Sequence, residues 1–272
     1  MITPTQDSEN ATLLEPSVET KTKIGVLVAT PMRSFSGFHP QHEAFLAELA
    51  RLSEDPDCPY EFWQAVVEGG RTWGRCRMVS NMRKLRLQYP NLKWLYWHDD
   101  DVEQTGEGLL KLLSYKLPVV GAMYATKEKD CHWCANFLHE VKLQPNGLLQ
   151  VYELAVGALL THYEVYEKIE ERFAAILYTD RNTGERHQGF FQEVVIENVP
   201  FSEDYFFCWL MRNTGIGIFA DTNMKLRHRG ADGTLWPEEW PPIPIDEVHE
   251  VATDYHEADG NNLHDACASR GP

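Results

Sequence analysis

Short apolar runs alternate with stretches of helical spacing through residues 23 to 125, and that alternation restricts the fold more than any other feature of the chain. Ile24-Gly25-Val26-Leu27-Val28-Ala29-Thr30 is a continuous apolar run stopped by Pro31, which predicts a buried strand. Pro40 to Arg51 then has helical spacing, with Phe45, Leu46, Leu49 and Leu52 turned inward. Tyr60 to Val67 predicts a second strand, Arg71 to Gln88 a long basic helix ending before Pro90, and Lys93 to His98 a third strand. Gly106 to Lys116 predicts another helix and Val119 to Tyr124 a fourth strand. A tight turn cannot return the chain to the start of a parallel neighbour, so strands separated by helices of this length pair in parallel through crossovers. The expected architecture is α/β, a mostly parallel central sheet flanked by helices.

The third strand ends in Asp99-Asp100-Asp101. Carboxylates at the end of a buried strand are costly, and a bound cation is a reason to keep them. An extended backbone alternates its side chains, so Asp99 and Asp101 are expected on one face and Asp100 on the other. Two carboxylates converging without a partner repel, and one of them would hold its proton. A hard divalent ion, Mn²⁺ or Mg²⁺, removes the repulsion and keeps open positions for phosphate oxygens. The competing reading is a solvated acidic turn or a helix cap.

In open α/β sheets ligands bind beyond the carboxyl ends of the strands. That rule gathers Thr30, Pro31 and Arg33 after the first strand, Glu68 after the second and the aspartates after the third into one crevice. A nucleotide base and ribose would sit over the first strand, with the diphosphate reaching a metal at Asp99 and Asp101. On the basic helix, Arg71, Arg75, Arg77, Arg83, Lys84 and Arg86 are expected mostly on a solvated face, with Arg77 and Asn81 selected as the residues that reach the nucleotide.

In the second half, Val156-Gly157-Ala158-Leu159-Leu160-Thr161 leads into a helix from Tyr163 to Phe173. Ser202-Glu203-Asp204 opens a helix that runs to Asn213, with Ser202 as its cap and acids in the first turn. Ile216 to Ala220 is a short strand, followed by Leu226-Arg227-His228.

Net charge is −16 over 272 residues, but residues 1–20 hold −4 and residues 241–272 hold −6, leaving −6 for the 220 between. A mildly acidic body offers no electrostatic footprint for free binding to nucleic acid or to an anionic membrane. Residues 1–22 are expected to be a disordered leader and residues 241–272 a flexible acidic, Pro-rich tail, with the folded domain over 23–240. No run has the length of a membrane span and the N-terminus is not a secretory signal, so the expected location is cytoplasmic. Cys131-His132-Trp133-Cys134 is a single C-x-x-C, and a structural zinc site needs further ligands. Even with His139 nearby, Cys131 and Cys134 read as ordinary loop thiols.

The ordered set of Thr30-Pro31 after a strand, Leu95-Tyr96-Trp97-His98-Asp99-Asp100-Asp101, Val119 to Tyr124, Gly157-Ala158-Leu159-Leu160, Ser202-Glu203-Asp204-Tyr205 and His228 resembles the GT-A-fold nucleotide-sugar glycosyltransferases over roughly residues 23–230. The resemblance implies a Rossmann-like nucleotide-binding half, residues 23–125, and an acceptor half, residues 126–240. It further implies a D-x-D whose last carboxylate, Asp101, ligates Mn²⁺ or Mg²⁺, with His228 as a further ligand. Asp99 and Asp100 would contact metal, ribose or donor sugar. Glu203 and Asp204 would lie beside the acceptor, with Asp204 as the base of an inverting transfer. The implied partners are a nucleotide-sugar donor, a UDP-sugar first, and an acceptor hydroxyl on a glycan, a small molecule or a modified nucleobase. His98 and the C-x-x-C receive no role from it. A nucleotidyltransferase shares the α/β layout and metal use, although its loop after the first strand is usually richer in Gly and basic residues than Thr30 to Gly37. A nucleotide-sugar-binding protein without turnover is the third reading.

Overall fold

Each apolar run expected between residues 23 and 125 is a strand, and each helical stretch a helix, in a computed structural model that describes residues 22–32, 39–68, 71–138, 143–174, 176–181 and 183–243. The expected leader and tail, apart from Thr22 and residues 241–243, lie outside the described residues, as do Arg33 and His139. In chain order the elements are β1 (Ile24–Met32), α1 (Pro40–Glu54), β2 (Tyr60–Glu68), α2 (Arg71–Gln88), β3 (Leu92–His98), α3 (Gly106–Ser114), β4 (Val119–Tyr124), β5 (Ala135–Phe137), β6 (Leu148–Leu154) and β7 (Ala158–His162). There follow α4 (Tyr163–Arg172), β8 (Leu177–Thr179), β9 (Arg186–Gln188), β10 (Val194–Ile196), β11 (Val199–Phe201), α5 (Glu203–Asn213), β12 (Ile218–Leu226), β13 (His228–Arg229) and β14 (Leu235–Trp236).

Eight strands form one sheet in the order β2-β1-β3-β7-β4-β12-β6-β5. β1 pairs in parallel with β2 and β3, and β4 with β12, while β7 runs antiparallel between β3 and β4 and β6 antiparallel between β12 and β5. Six strands thus point one way, but the two reversed strands lie inside the sheet and make four of its seven contacts antiparallel. The expected mostly parallel sheet is corrected to a mixed one. The two expected halves also interleave, since β7 sits between strands of the first half.

The period-two alternation of the central strands builds two cores. Leu27 and Ala29 of β1, Leu95 and Trp97 of β3 and Leu159 of β7 face the helices α2, α4 and α5. Val26, Val28, Tyr96 and Leu160 face α1 and α3 on the other side. Helices therefore cover both faces, as a sheet whose central strands are apolar on both sides requires. Gly25 lies where β1 shifts register against β3, and a Cβ there would come within 2.9 Å of the Leu92 Cα. No side chain fits that approach. Among the described residues, no helix is long and apolar enough to cross a membrane.

Candidate active site

β3 stops at His98, and the Asp99 carbonyl accepts the Val102 N–H at 3.1 Å, so the aspartates occupy a turn and not a continued strand. This corrects the expected alternation: Asp99 and Asp101 do not share a face but turn toward different partners. Asp99 faces α2 and α5. Asp101 faces the segments after β4 and β12.

The first group is centred on Arg75 of α2, whose side chain is fully buried. Its Nη2 donates to Asp99 Oδ1 at 3.1 Å, and its Nη1 donates to Asp204 Oδ1 and lies 3.5 Å from Glu203 Oε1. The guanidinium also stands 5.7 Å from the centre of the Phe191 ring. Asp204 and Glu203 are delivered by the first turn of α5, where Ser202 is the N-cap, as expected. The second oxygen of Asp204 accepts the Val156 N–H at 3.1 Å. Burial, followed by the charges of Glu203 and Asp99, raises the Asp204 carboxyl above its ordinary range against the opposing pull of Arg75. Gly157 permits the approach of β7 to this group, because a Cβ there would lie 2.5 Å from the Tyr124 hydroxyl and 3.0 Å from Asp99 Oδ2.

The second group is Asp101, Lys127 and His228. The chain at 227–229 pairs with 101–103: the Arg229 N–H donates to the Asp101 carbonyl at 2.7 Å and the Glu103 N–H to the Arg227 carbonyl at 2.9 Å. That pairing carries His228 to the aspartate turn across 127 residues of sequence. His228 Nδ1 lies 3.1 Å from the Ala125 carbonyl, which can only accept, so Nδ1 donates there. Nε2 donates to Asp101 Oδ1 at 3.3 Å, and the ring stands edge-on to Tyr124 at 5.1 Å. Lys127 Nζ holds the other oxygen, Asp101 Oδ2. Burial opposes ionisation of Asp101, but the hydrogen bonds and charges of His228 and Lys127 outweigh it and hold the carboxyl well below the usual range.

Two donor atoms placed at right angles on a small divalent ion, each about 2.1 Å from it, stand about 3 Å apart. Asp101 Oδ1 and His228 Nε2 stand 3.3 Å apart, near that spacing, and the backbone bond at Nδ1 is the kind of outer contact that would aim a metal-binding imidazole. Asp101 and His228 are the residues that could hold a cation. Asp99 does not join them, and among the described residues no group of three or more His, Cys, Asp or Glu is placed to hold a metal ion. Of the expected set of Asp99, Asp101 and His228, the structure brings the last two together and leaves Asp99 with Arg75. Asp100 is half-buried, and its own backbone N–H donates to its carboxylate. Burial and then the Asp101 charge raise its carboxyl.

The remaining expected residues are not brought together. Thr30 is buried with Oγ1 3.3 Å from His42 Nε2, and Pro31 lies in register with Val67 inside the sheet. Glu68 pairs with Met32 through the backbone, and its side chain is outside the described residues. Arg77 lies near Tyr178, whose phenol it influences, and Asn81 is exposed. On α2 the residue that reaches the site is Arg75, expected on the solvated face. A signal for it existed: Val79 and Met82 are four and seven positions on, so the buried stripe of α2 projects back onto Arg75. Nothing in the local pattern marks Lys127. His98, left without a role, is fully buried, stacks on His42 at 4.8 Å and donates Nε2–H to the Val102 carbonyl at 2.9 Å. Burial and then the neighbouring His42 ring push it down to about 3, and burial and then His39 push His42 down to about 4. Burial and then the Asp204 charge push the Cys134 thiol up to about 12.

No family model matches the chain, and no curated protein does. Among solved structures, A197 from STIV is similar over 82% of this chain and 99% of its own, at 13% identity and a TM-score of 0.44. A glycosyltransferase involved in the glycosylation of the major capsid of PBCV-1 is similar over 55% of this chain and 66% of its own, at 10% identity and a TM-score of 0.31. At these scores neither likeness carries an argument about fold or activity.

Proposed function

We propose that the chain is a metal-dependent glycosyltransferase of GT-A type that moves a sugar from a nucleotide-sugar, a UDP-sugar first, to an acceptor hydroxyl with inversion. The observation that supports this best is the Asp101–His228 pair, with His228 Nδ1 fixed by the Ala125 carbonyl and Nε2 turned to Asp101 Oδ1. In this reading Asp101 and His228 hold Mn²⁺ or Mg²⁺, which when bound supplies positive charge to the departing diphosphate. Asp100, half-buried beside Asp101, orients donor hydroxyls.

Asp204 takes the acceptor proton. Its raised carboxyl suits a base, and a carboxylate with about four acceptor directions keeps some for the acceptor after the contacts to Arg75 and Val156. Arg75 fixes Asp204 relative to Asp99 and limits the repulsion among three carboxylates. Glu203 positions the acceptor.

The test is release of UDP from a panel of UDP-sugars by the purified full chain, with Mn²⁺ and with EDTA, for the parent protein and Asp101→Ala. Release that requires Mn²⁺ and is lost in the variant supports transfer chemistry. Mn²⁺-dependent binding without release supports the non-catalytic reading, and release of pyrophosphate from a sugar phosphate plus a nucleoside triphosphate supports the nucleotidyltransferase.

A further inference from the structure

Lys127 occupies an unexpected place if Asp101 is a metal ligand. It follows β4 at the base of a small ribbon in which the Thr126 N–H donates to the His132 carbonyl at 2.8 Å and the Cys134 N–H to the Tyr124 carbonyl at 2.8 Å. Ala125 bridges to Trp133 in the same ribbon. The backbone that carries Lys127 is thereby fixed at the strand end, and only the flexible side chain has freedom. That side chain places its ammonium on Asp101 Oδ2 while His228 faces Oδ1. Both partners are about one-third exposed, so the pair stands at the mouth of the site with access to solvent and to ligand.

An ammonium and a divalent ion compete for the same carboxylate. Resting Asp101 and Lys127 form a neutral pair. A dication and the diphosphate of a nucleotide-sugar, which carries about two negative charges, also sum to zero. Donor and metal can therefore enter together with no change in net charge, provided Lys127 has another anion to meet. An ammonium within hydrogen-bond distance of a metal-ligating carboxylate is within side-chain reach of phosphate oxygens on that metal. Bond cleavage then leaves a nucleoside diphosphate with about three negative charges, one more than before, at the place where the ammonium stands.

Resting on the function proposed above, we propose that Lys127 is a donor-binding residue that holds Asp101 in the resting protein and exchanges it for a diphosphate oxygen when metal and nucleotide bind. Lys127 thus acts against metal binding alone and in favour of the metal–diphosphate complex. This opposition separates it from a residue that merely props up Asp101.

The test is isothermal calorimetry on the full chain with Mn²⁺ alone and with UDP in saturating Mn²⁺, for the parent, Lys127→Ala and Lys127→Arg, with thermal melts as a check on folding. Lys127→Ala should bind Mn²⁺ at least as tightly as the parent and bind UDP about tenfold more weakly, the worth of one charge-assisted contact. Lys127→Arg should recover most of the UDP affinity. UDP affinity unchanged in Lys127→Ala overturns the assignment. So does weakening of both ligands, or a loss that Arg does not restore, since each marks Lys127 as a structural support. A parent protein that binds neither ligand overturns the proposed function, and this assignment with it.

Discussion

Replacing Arg75 by Met removes the charge at the centre of the first group while keeping most of the buried volume. Three carboxylates, those of Asp99, Glu203 and Asp204, then lose a guanidinium that is itself fully buried. Arg71 remains, but it is half-exposed and 3.9 Å from Glu203, too solvated to substitute. Breaking a buried ion pair from one side costs about 3–5 kcal/mol, which in a domain of this size lowers Tm by about 6–20 °C. The pH dependence has a definite sign. Asp204 already has a raised carboxyl in the folded protein, and without Arg75 it rises further, so the folded state of the variant binds more protons than the unfolded state above the ordinary aspartate range. Stability of the variant relative to the parent then falls as pH rises through that window. Urea unfolding of parent and Arg75→Met at pH 5 and pH 7.5 reads both quantities, and the difference between the proteins cancels titrations they share. The variant should lose more at pH 7.5 than at pH 5, and Asp204→Asn added to it should recover part of the loss. A loss under about 1 kcal/mol, the range of an exposed pair, or a loss equal at both pH values, would show that Arg75 is not the charge that holds these carboxylates together.

Asp204→Asn alone should keep UDP binding and a Tm within a few degrees of the parent, while transfer falls by a factor of about 10² to 10⁴; parental activity there combined with loss in Glu203→Gln moves the base by one residue, and activity in both removes the pair from catalysis. His98 and His42 are held neutral by burial, so the unfolded chain binds more protons between the ordinary histidine range and the depressed values of about 3 and 4, and stability should decline as pH falls from about 6.5. His98→Phe should reduce that acid slope by up to about 1.4 kcal/mol per pH unit, and an unchanged slope in denaturant titrations would show that His98 is not buried neutral.

The first four strands and three helices were legible because each carries an apolar period long enough to stand out from its neighbours. The start of α5 was legible from Ser202 and the acids after it. β7 was read as an apolar segment, but its reversed insertion between β3 and β4 was not, since the period of a strand says nothing about its direction or its neighbour. The three-residue strands β5 and β8 to β11 are too short for any period. Asp99 and Asp101 were placed together by extending strand alternation past His98, where the backbone already turns. His228 reaches Asp101 through backbone pairing between 227–229 and 101–103, a distant contact that the resemblance supplied and local pattern did not. Arg75 was misplaced because a charged side chain on a basic helix looks solvated unless the buried stripe is followed back to it.

The proposed function depends most on Asp101 and His228 holding a cation that bridges to a nucleotide diphosphate, and calorimetric titration of UDP with Mn²⁺ or with EDTA measures this directly. The parent should lose at least about tenfold in UDP affinity, about 1.4 kcal/mol, when EDTA replaces Mn²⁺. His228→Ala, folded and melting near the parent, should show most of that loss with Mn²⁺ present. UDP affinity indifferent to EDTA in the parent, or a His228→Ala variant that responds to Mn²⁺ as the parent does, would contradict the account.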